Sequence, residues 1–547
     1  TWRRGFVEQP GCLRPSFLHE ALAVVGPVAA MHLGLAEWSI TAATACVLFC
    51  LYASRKRNYW KNQNVASEPF SVFFGSTFKL FFTPMHEMDT ARYKKYGKIF
   101  GVFELGKAVL FVADPKLVKD VLVKDFKSLP NRRTANFNEP LLDNVMSMAD
   151  VEIWQKVRPA SIPAFSTANL RKMISLIEDC ALLTTEHIKG VASREEDIDL
   201  KQFFWDYTLD VTARCVFATK LDSHSDKGNE FVTRSKQILG KGVTPRLLLI
   251  IIFPKFAKMI GLSLLPPGAL QFFRNVLQGI VKNKADEQGE NLFRLLMNGH
   301  EDRGGTSPES STDRDNRLFN LDSEIEGGTP AATKHKLTEE EAMAQCILFF
   351  LAGQEKAASA IAFTLYLLAI HPDVQEKLRK EVDECFAAHS DRPGFDVVSR
   401  LKYLHCVVSE SLRMYPPVPR VERSPCQDYI FGDTGIKVKK DDMVAVPVYA
   451  LHHDPQYFPD PLTFNPERFN EQNMASIHPY TYLPFGAGPR NCIAMRFALQ
   501  TVKLCVLHTI KNVQLVRTEQ TKIPLEFRSG YGMLAAKGMK VGVRKRE

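Results

Sequence analysis

No CxxC pair and no CxxCH motif occurs in this chain, and of its 11 cysteines only Cys46 and Cys50 stand close together. A zinc site, a covalently attached haem and a disulfide framework are therefore not expected, and the scattered thiols fit a reducing compartment. There is no internal repeat and no basic segment interleaved with aromatics, so no nucleic-acid partner is expected. Neither sign of charge dominates: 70 Lys+Arg against 61 Asp+Glu leave +9, a mild surplus suited to an anionic membrane face or an acidic partner. With 45% hydrophobic and 24% charged residues, disorder is excluded as the main state. The 547 residues would fill about three or four domains at roughly 150 residues each, unless one large enzyme fold takes the whole chain.

Long apolar runs are few, and the first is informative. Residues 38–53 are apolar and end in Ser54, Arg55, Lys56 and Arg57. With Met31 shortly before it, the expected start of translation is Met31, and residues 1–30 are an upstream or non-native extension. Residues 31–64 then form an N-terminal signal anchor whose basic stop stays cytosolic. A cleaved signal peptide or an internal core helix are the competing readings, but no small-residue cleavage site stands out. A second run, 247–265, carries Pro254, Lys255 and Lys258 and is followed by Pro266 and Pro267. It should not span; a buried loop pair and a patch dipping into one leaflet both fit.

Residues 102–123 read as two short strands around Gly106, followed by a helix entered at Asp114 and Pro115. Residues 299–336 are polar and rich in Gly, Ser and Pro, and are expected to be a flexible surface loop. Thr338 and Glu341 then form a capping-box pattern opening an apolar helix over 339–371 that Pro372 stops. At 1.5 Å per residue this helix is about 50 Å long and must be central. Beyond Pro425 come short strands and turns, a helix from Ile493, and a strand-rich tail.

The strongest motif is Pro484-Phe485-Gly486-Ala487-Gly488-Pro489-Arg490-Asn491-Cys492, directly before an apolar helical pattern. A glycine-rich loop presenting one cysteine at a helix start favours a thiolate, which could be a nucleophile, a redox switch or a metal ligand. Taken alone, a single cysteine is more often an inert buried thiol.

Phe-x-x-Gly-x-Arg-x-Cys is the haem-ligand motif of the cytochromes P-450, and the chain resembles that family from about residue 65 to the C-terminus. The resemblance includes Glu410-Ser411-Leu412-Arg413 and Pro466-Glu467-Arg468-Phe469, which supply a structural triad of Glu410, Arg413 and Arg468. It implies a mostly α fold with a smaller β region, in which haem b (iron protoporphyrin IX) lies between the long central helix and the helix after the cysteine loop. Cys492 would be the metal ligand, with Phe485 packed beside it. Arg132, Trp154, Arg158, Arg423 and Arg490 would hold the propionates, because cationic forks suit carboxylates. RVER, ALHHDPQYFPDP and HPDVQEKL most resemble the microsomal drug- and steroid-oxidising branch that also contains thromboxane synthase.

The chain departs from the family in its central helix, where Ala352-Gly353-Gln354-Glu355-Lys356-Ala357 keeps the small residues and the acid but places Lys356 where the family has threonine. That hydroxyl helps relay protons during oxygen activation. Lys356 would substitute as donor, pair with Glu355, or turn away along the helix. The expected function is a monooxygenase driven by NADPH through a reductase. The change at Lys356 keeps open a reductase-independent lipid hydroperoxide or endoperoxide isomerase, and a haem-binding protein with impaired turnover. Ala494 replaces a usual glycine two residues after the ligand. The partners implied are NADPH-cytochrome P-450 reductase, with cytochrome b5 as an accessory donor, membrane lipid and a lipophilic substrate. Lys156, Arg496 and Lys503 are candidate reductase contacts, and Phe350, Leu351, Val418 and Met533 candidate pocket residues. The expected location is the endoplasmic reticulum membrane, with the catalytic domain, 65–547, in the cytosol.

Overall fold

The computed structural model describes residues 56–70, 79–133, 139–239, 254–262, 268–282, 291–298 and 336–546, apart from single positions at 105, 390, 441 and 531, with short pieces at 43–54, 249–250 and 318–319. It divides into two compact units, Thr1–Asn62 and Gln63–Glu547. Most of the expected anchor, all of residues 1–30 and most of 299–336 lie outside the described residues.

In the second unit α1 (Met85–Tyr96) precedes a hairpin of β1 (Ile99–Glu104) and β2 (Lys107–Val112). The strands pair antiparallel from Ile99 opposite Val112 to Glu104 opposite Lys107. Gly106 turns between them at φ +76°, a conformation that disfavours a β-carbon. Asp114 then caps the next short helix, accepting from the backbone N–H of Lys116 at 3.0 Å and Leu117 at 3.3 Å. Three helices follow, α2 (Val151–Ser161), α3 (Thr167–Ser193) and, after the short strand β3 (Asp197–Asp199), α4 (Leu200–Phe217).

The central helix, α5, is Glu339–Ile370. Its capping box forms as the spacing predicts: Glu341 N–H donates to Thr338 Oγ1 at 3.2 Å, and Thr338 N–H to Glu341 Oε2 at 2.9 Å. His371 ends it and Pro372 opens the following helix. Among the described residues α5 is the one helix long and apolar enough to cross a membrane, but most of it is buried in this unit. Its apolar surface is therefore used by the core. Later in the chain come α6 (Lys402–Met414), β4 (Val421–Arg423), β5 (Met443–Val446), α7 (Met495–Asn512), β6 (Val513–Val516) and β7 (Lys540–Lys545), among other shorter elements. One sheet has the order β1-β2-β5-β4 and a second the order β3-β7-β6, beside a two-stranded pair. Helices dominate, with a minor β region, as expected.

A buried ionic cluster ties α1 to the first sheet. Arg420 bonds Asp89 at 2.7 and 2.5 Å and Glu104 at 2.7 Å, while Arg92 bonds Glu104 at 2.6 Å and Glu68 at 2.7 Å. One expectation needs correction. Residues 299–336 are not wholly a surface loop, because Leu318 and Phe319 are buried and the Phe319 ring lies 5.5 Å from that of Phe485. Two apolar side chains suffice to pin this point to the core. Within 247–265 the described residues are 249–250 and 254–262, including a short helix, Pro254–Met259; Ile250 and Ala257 are buried while Phe256, Met259 and Ile260 are exposed, so the segment has both core-facing and outward-facing residues.

Candidate active site

The cysteine loop is a folded turn held by its own backbone. Gly486 N–H donates to Leu483 O at 3.1 Å, Asn491 N–H to Gly488 O at 2.9 Å and Cys492 N–H to Phe485 O at 3.0 Å. Gly486 and Gly488 both sit at φ +72°. A β-carbon at Gly488 would lie 1.9 Å from Leu122 O. Gly488→Ala is accordingly expected to cost at least about 3 kcal/mol, since overpacking against backbone cannot relax through a rotamer change. Thermal unfolding of the purified variant checks this.

The loop delivers Cys492 just before α7. Protein surrounds the residue, yet its side chain is exposed, so it faces an internal space. Burial pushes the thiol pKa up. The Ala494 N–H bonded to the sulfur and the charges of Arg158, Lys356 and Arg132 pull it down. Ala494 itself adopts φ −95°, an ordinary conformation, so its methyl brings no backbone strain. Opposite Cys492, α5 shows its open side: Leu351, Ala352, Lys356 and Ala357 are part-buried and Gly353 is exposed. Leu351 and Ala352 pack on the same apolar cluster as Ile493, Ala494 and Phe497.

Four arginines gather at one edge of this space. Arg132 donates to Arg490 O at 2.5 Å, Arg158 to Asn491 O at 3.0 Å and Oδ1 at 2.5 Å, Arg490 to Ala149 O at 3.0 Å and Arg423 to Glu422 O at 2.9 Å. None of these acceptors is a carboxylate. Burial and mutual repulsion lower Arg132 to about 10 and Arg490 to about 9, and Arg423 falls well below its usual value. Nε and Nη2 of Arg423 and Nε and Nη1 of Arg490 are buried without a partner. Trp154 is buried under this group, 5.0 Å from the Arg490 guanidinium and 5.9 Å from that of Arg158.

Behind the loop, Arg413 grips Glu410 bidentately at 2.7 and 2.8 Å, and both are fully buried. Arg468 joins Glu410 by one longer bond of 3.3 Å, and Asn465 N–H donates to the same oxygen at 3.1 Å. The sequence reading missed His452. Leu483 N–H donates to its Nε2 at 2.8 Å, so Nδ1 carries the proton and donates to Arg413 O at 3.1 Å, while Arg413 donates back to His452 O at 2.8 Å. Burial, with neighbouring cations, holds the imidazole neutral. His452 thus links the ion pair to the segment leading into the cysteine loop. The string ALHHDPQYFPDP contains the residue, but nothing in it names the partners.

The family model for cytochrome P450 matches residues 66–543. The chain belongs to the cytochrome P450 family. It is 31% identical over 510 residues to "Cytochrome P450 3A41" of Mus musculus, covering 92% of this chain and 95% of that protein. It is 32% identical over 504 residues to "Cytochrome P450 3A2" of Rattus norvegicus, covering 90% and 94%. It is a haem-thiolate monooxygenase of the microsomal drug- and steroid-oxidising branch, with haem b as cofactor. Its residues fit that group: an accessible thiol at a helix start and unpartnered guanidinium N–H groups at one rim suit an iron centre bearing two carboxylates.

Within this cytochrome P450 the remaining expected residues are placed unevenly. Glu355 pairs with Lys201 at 2.7 Å, a partner the sequence reading missed, and not with Lys356. Lys356 Nζ turns back along its own helix to donate to Ala352 O at 2.9 Å. Phe350 is a correction: it is fully buried, 4.8 Å from Phe273 and 5.7 Å from Phe217, and so is packed into an aromatic core cluster. Val418 is part-buried and Met533 exposed, and Leu534 N–H bonding to Pro417 O at 3.1 Å holds these two segments together. Lys503 is also a correction, because at 4% exposure it offers no docking charge, whereas Lys156 is exposed and Arg496 donates to Thr167.

Proposed function

We propose that this chain inserts one oxygen atom from O2 into a lipophilic substrate, with electrons from NADPH delivered by cytochrome P-450 reductase and cytochrome b5 as an accessory donor. The observation that carries the reading is the accessible Cys492 sulfur facing the open side of α5, rimmed by arginines with unpartnered N–H groups. When bound, haem b supplies oxygen activation and transfer. The chain supplies the surroundings. Ala494 N–H steadies the Cys492 thiolate, Phe485 packs beside it, and Arg132, Trp154, Arg158, Arg423 and Arg490 orient the two propionates. Ala352 and Gly353 leave room against the helix, and Glu355, held by Lys201, keeps a carboxylate near the groove for proton movement. Glu410, Arg413 and Arg468 brace the segment before the loop. Leu351, Val418 and Met533 contribute to the pocket.

Residues 31–64 anchor the protein in the endoplasmic reticulum membrane, with residues 65–547 in the cytosol. The exposed Phe256, Met259 and Ile260 support a contact with lipid near the substrate entrance. Lys356 favours a second reading, rearrangement of a lipid hydroperoxide without reductase, because its amine lies on Ala352 O and no hydroxyl stands at this position. Purified full-length protein separates the two. NADPH consumption with reductase, matched by oxygenated product, is the expected result. Reductase-free loss of a lipid hydroperoxide supports isomerisation, and haem binding with neither activity leaves a binding protein.

A further inference from the structure

Lys356 occupies a position where a cation has little local compensation. Its side chain is only part-buried to solvent, through the internal space that Cys492 also faces, yet protein encloses it. Nζ has one bond, to the neutral carbonyl of Ala352 at 2.9 Å. The adjacent carboxylate of Glu355 is taken by Lys201, whose amine also bonds Glu355 O at 3.0 Å and Ser359. Among the described residues no carboxylate pairs with Lys356. Burial lowers the basicity of the amine, Arg132 and Lys201 lower it further, and Cys492 and Glu355 only partly offset this, so an anion beside Nζ is what would hold it as the ammonium. The thiolate is committed to iron and the glutamate to Lys201, so neither is available as an ion-pair partner for the amine. On its own helix the neighbouring surface is apolar, formed by Leu351, Ala352 and Ala357, all part-buried.

A desolvated ammonium at one point of an apolar chamber discriminates strongly among ligands, because an anion there forms a charge-assisted hydrogen bond out of water's reach. A neutral ligand of the same shape leaves the charge without an anionic partner. Building on the haem-thiolate reading above, we propose that Lys356 is a specificity residue that selects amphiphiles with an aliphatic tail and an anionic carboxylate head, the head pairing with Nζ beside the haem. Lys356 releases the Ala352 carbonyl or shares its protons between that oxygen and the carboxylate. An ammonium has three donors, so both bonds can coexist.

The test compares laurate with methyl laurate and dodecanol, ligands that share a tail and differ in head-group charge. Binding to the haem-loaded full chain is followed by the Soret spin-state shift and, independently, by calorimetry. Laurate is expected to bind on the order of 10- to 100-fold more tightly than methyl laurate, the range for a hydrogen bond between charged groups. Lys356→Met keeps the length and apolar stem and should reduce that ratio to near unity, while Lys356→Arg should keep most of it. Equal affinity of the unaltered protein for laurate and methyl laurate overturns the proposal, whatever the variants do. So does a ratio unchanged in Lys356→Met. A nitrogen-ligated resting spectrum that Lys356→Met abolishes also overturns it, since the amine is then bound to iron. If the carbon-monoxide complex shows a thiolate-type band but laurate has no advantage, only this inference fails; if that band is missing, the haem-thiolate reading fails, and calorimetry still measures the ratio.

Discussion

Replacing Cys492 with serine is expected to abolish the red-shifted Soret band of the ferrous carbon-monoxide complex and to reduce oxygenation to background. Serine preserves the loop, because the bonds that fold it run through the backbone of Leu483, Phe485, Gly488 and Asn491. What changes is the donor. Burial raises the thiol pKa, while the Ala494 N–H and the charges of Arg158, Lys356 and Arg132 oppose that rise, and ligation to iron is what fixes sulfur as the thiolate. A hydroxyl in the same place stays protonated, and donation from sulfur is what favours O–O cleavage in this class of haem. The variant should still take up haem, because Arg132, Arg158, Arg423 and Arg490 are untouched. Absorption spectra with and without carbon monoxide read both outcomes. A thiolate-type spectrum from Cys492→Ser would refute the site.

Glu410→Ala should act on folding instead of chemistry. The carboxylate receives two bonds from Arg413, one from Arg468 and one from Asn465 N–H. Removing it leaves Arg413, with no exposed surface, as an uncompensated interior cation. Breaking such a pair costs about 3–5 kcal/mol, against a total stability of about 5–15 kcal/mol. Little folded, haem-containing protein is expected, and what can be purified should melt well below the parent. Arg468→Ala should be milder by comparison, since Arg468 is partly exposed and makes one long bond to the pair. Equal melting temperatures for Glu410→Ala and the parent would show that the pair does not brace the fold.

Local signals in the chain carried over into the fold, and long-range ones did not. The cap at Thr338 and Glu341, the turn at Gly106 and the cysteine loop each depend on neighbours within a few residues, so spacing alone reveals them. Glu410 and Arg413 are legible for the same reason, being one helical turn apart. Phe350 was misassigned because α5 is apolar on nearly all sides, which erases the periodicity that would separate a pocket face from a core face. The direction of Lys356 is a rotamer choice made between Ala352 O and Glu355, and Glu355 was already held from α4 by Lys201. His452 bridges Arg413 and Leu483, and Arg420 reaches Asp89 across 331 positions. Such partners exist only once the chain has folded. Leu318 and Phe319 were hidden by the polar composition on either side of them.

The arginine rim has a consequence for how much of this protein a cell can keep. Beside Arg158, burial and mutual repulsion depress the basicity of Arg132, Arg423 and Arg490, and Arg423 and Arg490 keep buried N–H groups without a partner. A dianionic ligand that binds only the native state raises stability by mass action. Iron or porphyrin starvation should therefore lower the abundance of the polypeptide itself, as degradation removes chains that mature without the pigment, and resupply should restore its level without new transcription.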